Sequence, residues 1–467
     1  MKILPLITAI SLTTLIGPSF AQTTWTGAVD NSWSTAGNWN NGIPSTGGIT
    51  YFANGSLPDS PISVTVDSVT PFNDVNFRTS GNRSVTFNGG TMNLQKDGNI
   101  NWNESSGGTS EVVVNSDIDV SSVTAGALSR LYIIMNNRNI TINGDITTSG
   151  TGSRLIQLNG STTLTINGSN ALGLFSFGGT GEVIAGSTSA LGSYVQKTTA
   201  STLSLRSDVV VDGSGTNYSW LQSSGAPYTY LRISETAASS ADRTLTFTKR
   251  IAGSTGAIEF IDNINSTGSL ILDLKYSGLL AQELPLITND TAIIRFSQTG
   301  DQTYTGAISG TGQVEKITGT GTTTFTAINT YTGNTTVDAG TLALADNAGL
   351  TFNIGADGVN NMIGGTGAVT LDGDFTFDLS GADTTNGNQW LIVDVENLTE
   401  AFGSTFTVNG FTADGGGDFW TYIDGGNTWT FVESTGILSL GVIPEPNSLV
   451  LGVFGLAAFC LRRKMRN

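Results

Sequence analysis

The clearest indication of the fold is the stretch GTGTTTFTAINTYTGNTTVDAGTLAL, residues 319–344. Apolar or threonine side chains alternate in it with small polar ones, and glycine or asparagine stands at each break. Period-2 alternation over a few residues indicates half-buried β-strands. Glycine and asparagine enter left-handed backbone conformations at low cost, so they suit tight turns. The stretch therefore predicts several short strands joined by tight turns.

The same alternation recurs along the chain, for example at 63–66, 84–87 and 111–114, with turn residues between the runs. Turn signals at intervals of about 8 to 12 residues are typical of all-β proteins. Helical spacing is confined to one short run, 237–243, which is too brief to matter. Abundant β-branched and aromatic residues argue against disorder in spite of the low charge. We therefore expect an all-β fold.

Internal repeats indicate which β architecture this is. The hexapeptide ITINGD at 140–145 recurs as LTINGS at 164–169, and the YTG of 304–306 recurs at 331–333. Gly-Thr-Gly triplets stand at 150–152, 179–181, 310–312, 319–321 and 365–367. Periods in the twenties suit one coil of a β-helix, with Val, Ile, Leu and Phe inward and Thr, Ser and Asn outward. Stacked Asn and Thr side chains should add ladder hydrogen bonds between coils.

Residues 319–344 closely resemble the autotransporter-associated β-strand repeat, also called the passenger-associated transport repeat. The resemblance rests on GTG at 319–321, NTYTG at 329–333, TTV at 335–337 and AGTL at 339–342, with the lead-in YTGAISGTG at 304–312. It implies a coil of a right-handed parallel β-helix, and it implies no catalytic activity.

Aromatic residues gather near both ends of the repetitive region. Trp25, Trp33 and Trp39 stand close together in a segment that resembles the opening of many secreted autotransporter-like proteins. We interpret them as an N-terminal cap, because an open solenoid end exposes strand edges and core; the alternative is an aromatic patch that stacks on carbohydrate. Further large side chains predict a C-terminal β cap: Trp390, Phe402, Phe406, Phe419, Trp420 and Trp429.

The start of the chain reads as a secretory signal peptide. Lys2 precedes an apolar run at 3–16, and small residues follow up to Ala21. This pattern predicts cleavage between Ala21 and Gln22.

Residues 442–467, VIPEPNSLVLGVFGLAAFCLRRKMRN, have three parts in order. Pro444, Glu445 and Pro446 form a stiff, extended triplet. A short apolar run follows at 449–461; a membrane span usually takes about 20 residues. Basic residues end the segment, as is typical of the cytoplasmic side of a span: Arg462, Arg463, Lys464 and Arg466.

This order closely resembles the PEP-CTERM sorting signal of Gram-negative bacteria. The resemblance implies recognition by an exosortase, removal of the tail, and delivery of the body to the cell surface or to an exopolysaccharide matrix. Membrane contact would then occur only through the tail before processing. The alternative is an ordinary C-terminal membrane anchor.

Composition excludes several classes of function. The chain carries 37 acidic and 20 basic residues, a net charge of −17, so nucleic acid and anionic membranes should repel it. It has no histidine, which removes Ser-His-Asp and Cys-His systems and His-ligated metals. The single cysteine, Cys460, lies in the apolar tail. We expect no cofactor, and no disulfide in the mature protein.

Parallel β-helices also occur among polysaccharide lyases and glycoside hydrolases, which need convergent carboxylates or a bound cation. The candidates here are Asp372, Asp374 and Asp378, then Asp414 and Asp418, and finally Asp117 with Asp119. Turn chemistry and exposed strand faces explain these acids equally well. We therefore predict no catalytic residue and no metal ligand.

The sequence as a whole predicts a non-catalytic structural protein of the cell surface or extracellular matrix, with an exosortase and matrix polysaccharide as partners. A carbohydrate-active β-helix enzyme and an adhesin are the alternatives. The expected organisation is a signal peptide at 1–21, a Trp-rich cap at 22–60, solenoid coils at 61–296, the repeat at 297–345, a C-terminal β cap at 346–441 and the sorting signal at 442–467.

Overall fold

Short β-strands make up nearly all of the described chain. The computed structural model describes residues 22–441 except 45–48, 54–60, 68–69, 79–83, 103–110, 121–129, 136–138, 149–153, 159–162, 178–180, 194, 198–201, 206–207, 212–217, 223–229, 235–239, 254–256, 262–265, 280–284, 290 and 417. Apart from a 3-10 turn at Ala36–Asn38, these residues contain no helix. Most strands pair in parallel and stack as the coils of a β-solenoid, so the predicted all-β solenoid is confirmed.

The chain divides into two compact units, Met1–Leu203 and Ser204–Asn467. The strands of the first unit are β1 (Gln22–Thr24), β2 (Ile49–Ala53), β3 (Ile62–Thr65), β4 (Thr70–Arg78), β5 (Val85–Asn88), β6 (Thr91–Trp102), β7 (Glu111–Val114), β8 (Asp117–Asp119), β9 (Arg130–Met135), β10 (Asn139–Ile142), β11 (Ile146–Thr147), β12 (Arg154–Leu158), β13 (Thr163–Ile166), β14 (Leu174–Phe177), β15 (Glu182–Ala185) and β16 (Val195–Lys197). β17 (Thr202–Leu205) contains the boundary.

The strands of the second unit are β18 (Val209–Val211), β19 (Tyr218–Gln222), β20 (Tyr230–Ser234), β21 (Arg243–Phe247), β22 (Arg250–Gly253), β23 (Ala257–Ile261), β24 (Leu270–Leu274), β25 (Gly278–Leu279), β26 (Leu286–Asn289), β27 (Ile293–Phe296), β28 (Gln302–Tyr304), β29 (Ile308–Gly310), β30 (Gln313–Lys316), β31 (Thr322–Phe325), β32 (Ile328–Asn329), β33 (Thr335–Val337), β34 (Thr341–Leu344), β35 (Gly349–Asn353), β36 (Ile363–Gly364), β37 (Ala368–Leu371), β38 (Asp374–Asp378), β39 (Gln389–Leu391), β40 (Thr399–Phe402), β41 (Thr407–Val408), β42 (Thr412–Ala413), β43 (Phe419–Asp424), β44 (Asn427–Val432) and β45 (Ile437–Leu440).

In the first unit, strands of successive coils stack into two parallel sheets. One runs β1-β2-β4-β6-β9-β12-β14-β16 and the other β3-β5-β7-β10-β13-β15. In the second sheet Ile140 pairs with Leu164 and Ile142 with Ile166. The interval between ITINGD and LTINGS is therefore one coil, because the two copies lie directly against each other.

In the second unit, each strand typically pairs with the third strand after it, so a coil contributes three strands. The parallel stacks are β18-β21-β24-β27-β30-β33-β36, β25-β28-β31-β34-β37-β40 and β32-β35-β38-β41. Tyr304 pairs with Phe325 and not with Tyr331, which follows β32 on another side of the coil. The interval between the two YTG motifs is therefore not the length of one coil, and the prediction based on it is wrong. The two motifs occupy different positions of the coil.

The stretch 319–344 covers one complete coil. It contains the three strands of this coil, β31 to β33, and the first strand of the next coil, β34, in which Thr341 pairs with Thr322 of β31. Side chains alternate strictly: Thr323 and Phe325 are buried, whereas Thr322 and Thr324 are half-exposed. Full burial of a side chain such as Phe325 contributes about 1.5–3 kcal/mol, so each coil gains its stability from a few inward residues.

An antiparallel sheet, β39-β45-β44-β43-β42, follows the parallel coils, which continue through β41. Its core is aromatic, as the sequence predicts: the rings of Trp390 and Trp429 are 5.4 Å apart. Phe406 contacts Phe402 at 4.9 Å and Trp420 at 5.7 Å between ring centroids.

Candidate functional site

The residues of the predicted sorting signal lie outside the described part of the chain. They are Pro444, Glu445, Pro446, Arg462, Arg463, Lys464 and Arg466, and Ala21 of the predicted signal cleavage lies outside it too. Gln22 opens β1 and is exposed. No helix formed by the described residues is long and apolar enough to cross a membrane.

Asp372, Asp374 and Asp378 do not converge. Asp374 and Asp378 lie on the outer side of β38, about 13 Å apart along the strand. The carboxylate of Asp374 accepts a hydrogen bond from the Thr407 hydroxyl. Asp378 accepts one from the Ser380 backbone N–H at 3.0 Å, and hydrogen bonds from Ser380 lower its pKa. Ligands of one cation lie within about 2.6 Å of it, so these two carboxylates cannot share a cation.

Asp117 and Asp119 connect adjacent coils. Asp117 Oδ1 accepts the Asp145 backbone N–H at 2.9 Å, and Asp145 Oδ1 accepts the Ser169 N–H at 2.7 Å. The bond from Ser169 lowers the pKa of Asp145. Asp119 Oδ2 accepts the Asn93 side-chain amide at 2.9 Å.

Asp414 and Asp418 also accept local backbone bonds, from Gly416 at 2.9 Å and from Ser434 at 3.0 Å. Nearby, burial raises the pKa of Glu433, although the Trp420 indole N–H donates to it at 2.7 Å. No group of three His, Cys, Asp or Glu side chains among the described residues is arranged to hold a metal ion.

Aspartates at the turns form a recurring hydrogen bond between successive coils. Each accepts the backbone N–H of a residue in or just before a strand of the next coil; the pairs are Asp208 with Thr244, Asp242 with Ser269, Asp301 with Thr322, Asp338 with Thr366 and Asp357 with Gln389. The acids are therefore spread along the coils, and the bonds satisfy backbone donors that would otherwise need water.

An asparagine ladder confirms the predicted stacking of polar side chains. The amide of Asn115 donates to Asn88, that of Asn143 to Asn115 and that of Asn167 to Asn143, each at 2.7 Å. A Cβ at Gly186, one coil further, would lie 2.0 Å from Asn167 Oδ1, so the ladder ends against this glycine.

The three N-terminal tryptophans form a buried cluster. Trp25 and Trp33 are 1% exposed and Trp39 is 4% exposed. The Trp39 ring lies edge-on to Trp25 at 4.9 Å and to Trp33 at 4.8 Å, and its indole N–H donates to the Trp33 carbonyl at 2.8 Å. Stacking on a sugar needs an exposed ring face, so the alternative of a carbohydrate-stacking patch is wrong for these residues.

Lys316 and Tyr331 are ionisable groups that lie buried in the core of the second unit. Lys316 is 1% exposed, its Nζ has no hydrogen-bond partner in the described part of the chain, and burial lowers its pKa. Burial raises the pKa of Tyr331, whose hydroxyl lies 2.6 Å from that of Thr335. Neither group reaches a surface where it could meet a substrate.

A groove of about 520 Å³ lies in the second unit, at the corner of the coils before β30, β33 and β36. We call it the corner groove. Its lining is neutral: Thr311, Gln313, Thr332, Gly333, Asn334, Asn353, Ile354, Gly355, Val359, Asn360 and Asn361. The sequence patterns did not predict it. The only related feature of the sequence is an uneven coil length. The interval from Thr335 to its partner Ile363 is longer than the interval from Val314 to its partner Thr335.

Comparison with protein-family models, with curated proteins and with solved structures gives no significant match for this chain.

Proposed function

We propose that this chain is a non-catalytic structural protein of the bacterial surface or of an extracellular polysaccharide matrix, sorted and trimmed by an exosortase. The observation that carries the proposal is the order of the tail: Pro444-Glu445-Pro446, an apolar run at 449–461, and a basic end. A rigid accessible motif followed by a short apolar segment is the arrangement of tails that a membrane enzyme removes.

The placement of the acids supports a non-catalytic role. Glycoside hydrolysis needs two carboxyl groups about 5–9.5 Å apart across one bond. The candidate aspartates in the described part of the chain instead accept hydrogen bonds from neighbouring turns and coils, as Asp117 and Asp378 do. This use of acids strengthens the structural hypothesis over a carbohydrate-active enzyme.

We also propose that the solenoid is right-handed and that its ends are capped. Trp25, Trp33 and Trp39 would cover the first coil, and the antiparallel sheet β39 to β45 would cover the last. Capping protects open strand edges from pairing with other chains. The apolar run at 449–461 would form a membrane-embedded helix until the tail is removed.

Fractionation of the native cells with mass spectrometry of the mature ends tests the sorting proposal. We expect a chain that starts at Gln22, ends near Pro444, and is found in the surface or matrix fraction. A Pro444→Ala/Pro446→Ala variant should keep its tail and stay with the inner membrane, because the rigid motif is lost.

An intact wild-type tail in the inner membrane would establish an ordinary anchor and remove the main support for matrix delivery. Recovery of the untrimmed chain from the cytoplasm would overturn export altogether.

A further inference from the structure

The corner groove arises from one lengthened connection. Between β32 and β33 the chain makes a short connection from Asn329 to Thr335. One coil later, the equivalent passage from Leu350 to Ile363 is about twice as long. The extra residues cannot lie flat on the coil, so they fold outward as a loop and form one wall of the groove.

This wall is held rigidly. Ile354 and Asn360 form an antiparallel bridge, and Gly355 N–H donates to the Val359 carbonyl at 2.9 Å. The Asn361 side chain accepts the Asn353 N–H at 2.7 Å and donates to the Thr351 carbonyl at 3.0 Å. The loop is therefore preorganised, which lowers the entropy cost of binding a ligand.

Gly333 is one of the lining residues and lies in close contact with the turn of the preceding coil. A Cβ on Gly333 would lie 2.2 Å from the Gly312 carbonyl oxygen. The two turns stack so closely because neither glycine carries a side chain.

The groove presents hydrogen-bonding groups that the protein does not use. The side chains of Gln313, Thr332 and Asn353 make no hydrogen bond within the described part of the chain, and Asn334 uses only its carbonyl oxygen, accepting the Met362 N–H at 3.1 Å. Amides offer both donors and acceptors, and hydroxyls do the same. Val359 is 60% exposed and adds an apolar surface beside them.

We propose that the corner groove binds a segment of a neutral polysaccharide. None of its lining residues is charged, although the chain carries a net charge of −17. Such a protein repels polyanions, and the groove has no cation to compensate. Sugar hydroxyls match the unused amide and hydroxyl groups, and a sugar C–H face matches Val359. The volume of 520 Å³ falls within the usual range of about 300–1,000 Å³ for ligand sites.

This inference rests on the proposed matrix role, and it specifies which chemistry of the matrix the protein contacts. Its test is independent of sorting, because it uses the purified full chain. If the protein reaches the matrix but binds no neutral glycan, this inference is wrong and the sorting proposal still stands.

The test is affinity electrophoresis of the full chain in gels that contain dextran, starch, galactomannan, a mixed-linkage β-glucan or alginate. We expect at least one neutral polymer to retard the protein and alginate, a polyanion, to leave it unaffected. The Thr332→Ala/Asn353→Ala variant should bind about tenfold more weakly, since it loses two hydrogen bonds of ordinary strength.

The matched control is Thr330→Ala/Asn386→Ala, which removes the same two residue types from exposed positions outside the groove. It should bind as the wild type does. Failure of all four neutral polymers, equal weakening by both double variants, or stronger binding to alginate would each overturn the proposal. Identical circular dichroism and melting of the variants would exclude unfolding as the cause.

Discussion

The buried amine of Lys316 should destabilise the fold. A buried polar group without a partner costs about 1–3 kcal/mol, and this Nζ has no partner in the described part of the chain. Lys316→Met keeps most of the side-chain volume and removes the amine. We expect the free energy of unfolding to rise by about 1–3 kcal/mol at pH 7, measured by urea denaturation.

The pH dependence of this gain has a definite sign. Burial lowers the pKa of Lys316 below the unfolded value of 10.5, so the unfolded chain binds the extra proton and wild-type stability rises as the pH approaches 10.5. The advantage of Lys316→Met should therefore shrink between pH 7 and pH 10. Lys275→Met, at an exposed position, should change stability by less than about 0.5 kcal/mol at either pH. A destabilised Lys316→Met variant would contradict this account.

Gly321 shows how closely successive turns approach. A Cβ there would lie 2.1 Å from the Gly300 carbonyl oxygen, and backbone cannot move aside as a flexible side chain can. Gly321→Ala should lower the unfolding free energy by about 1–3 kcal/mol, as measured by thermal melting. Gly416→Ala is the control, because its nearest contacts beyond adjacent residues are at 3.5 Å or more. Equal melting temperatures of the two variants would show that the coils relax freely.

Among the structural elements, the asparagine ladder should stabilise the stacking of its coils. Asn143 both donates to Asn115 and accepts from Asn167, whereas Asn167 makes only one ladder bond. Asn143→Ala should therefore cost more than Asn167→Ala, by about 0.5–1 kcal/mol for the second bond. Urea denaturation of both variants measures the difference. Equal losses would mean that these exposed bonds merely replace bonds to water.

The strands themselves were predictable where the pattern was local. The alternation at 111–114 predicts β7, which the structure forms with the same bounds. The match of 140–145 with 164–169 gives the register, because both copies occupy the same position of the coil. The YTG repeat gave the wrong coil length, because such a short motif can occur at different positions of a coil that has three strands. Tyr304 lies in a strand and Tyr331 after one.

For the molecule as a whole, the absence of histidine predicts the pH profile. Hydrogen bonds lower the pKa of Asp67, Asp145 and Asp378 below 3.8, so their contribution is present above this pH and is lost as the pH falls through their folded pKa. Burial raises the pKa of Asp273 and Glu433. The stability that these two groups contribute therefore falls as the pH rises from their unfolded pKa to their folded pKa.

We expect the unfolding free energy to be nearly constant between pH 6 and pH 8 and to fall below about pH 4, because among the described residues the carboxylates with lowered pKa outnumber those with raised pKa. Urea denaturation at a series of pH values measures this. A stability step near pH 6.5 would contradict it, since no imidazole is present to titrate there.

The fold class, the absence of histidine chemistry and the hypothesis of sorting all follow from the sequence alone. They depend on properties carried by single residues and short patterns: alternation selects strands, glycine and asparagine select turns, and the tail at 442–467 has its order in the chain itself. Stacked asparagines were predictable for the same reason, because equal coils bring equal residues together.

The positions of the acids and of the corner groove emerge only when the coils are stacked. Asp117 accepts a hydrogen bond from Asp145 of the next coil, and Lys316 is 1% exposed at an inward position of β30. A charged side chain at such a position is not expected from a local pattern. The groove exists because one corner is longer than the corner beneath it. The effect of such an insertion depends on what it stacks against, which is a property of the coil register and not of the inserted residues.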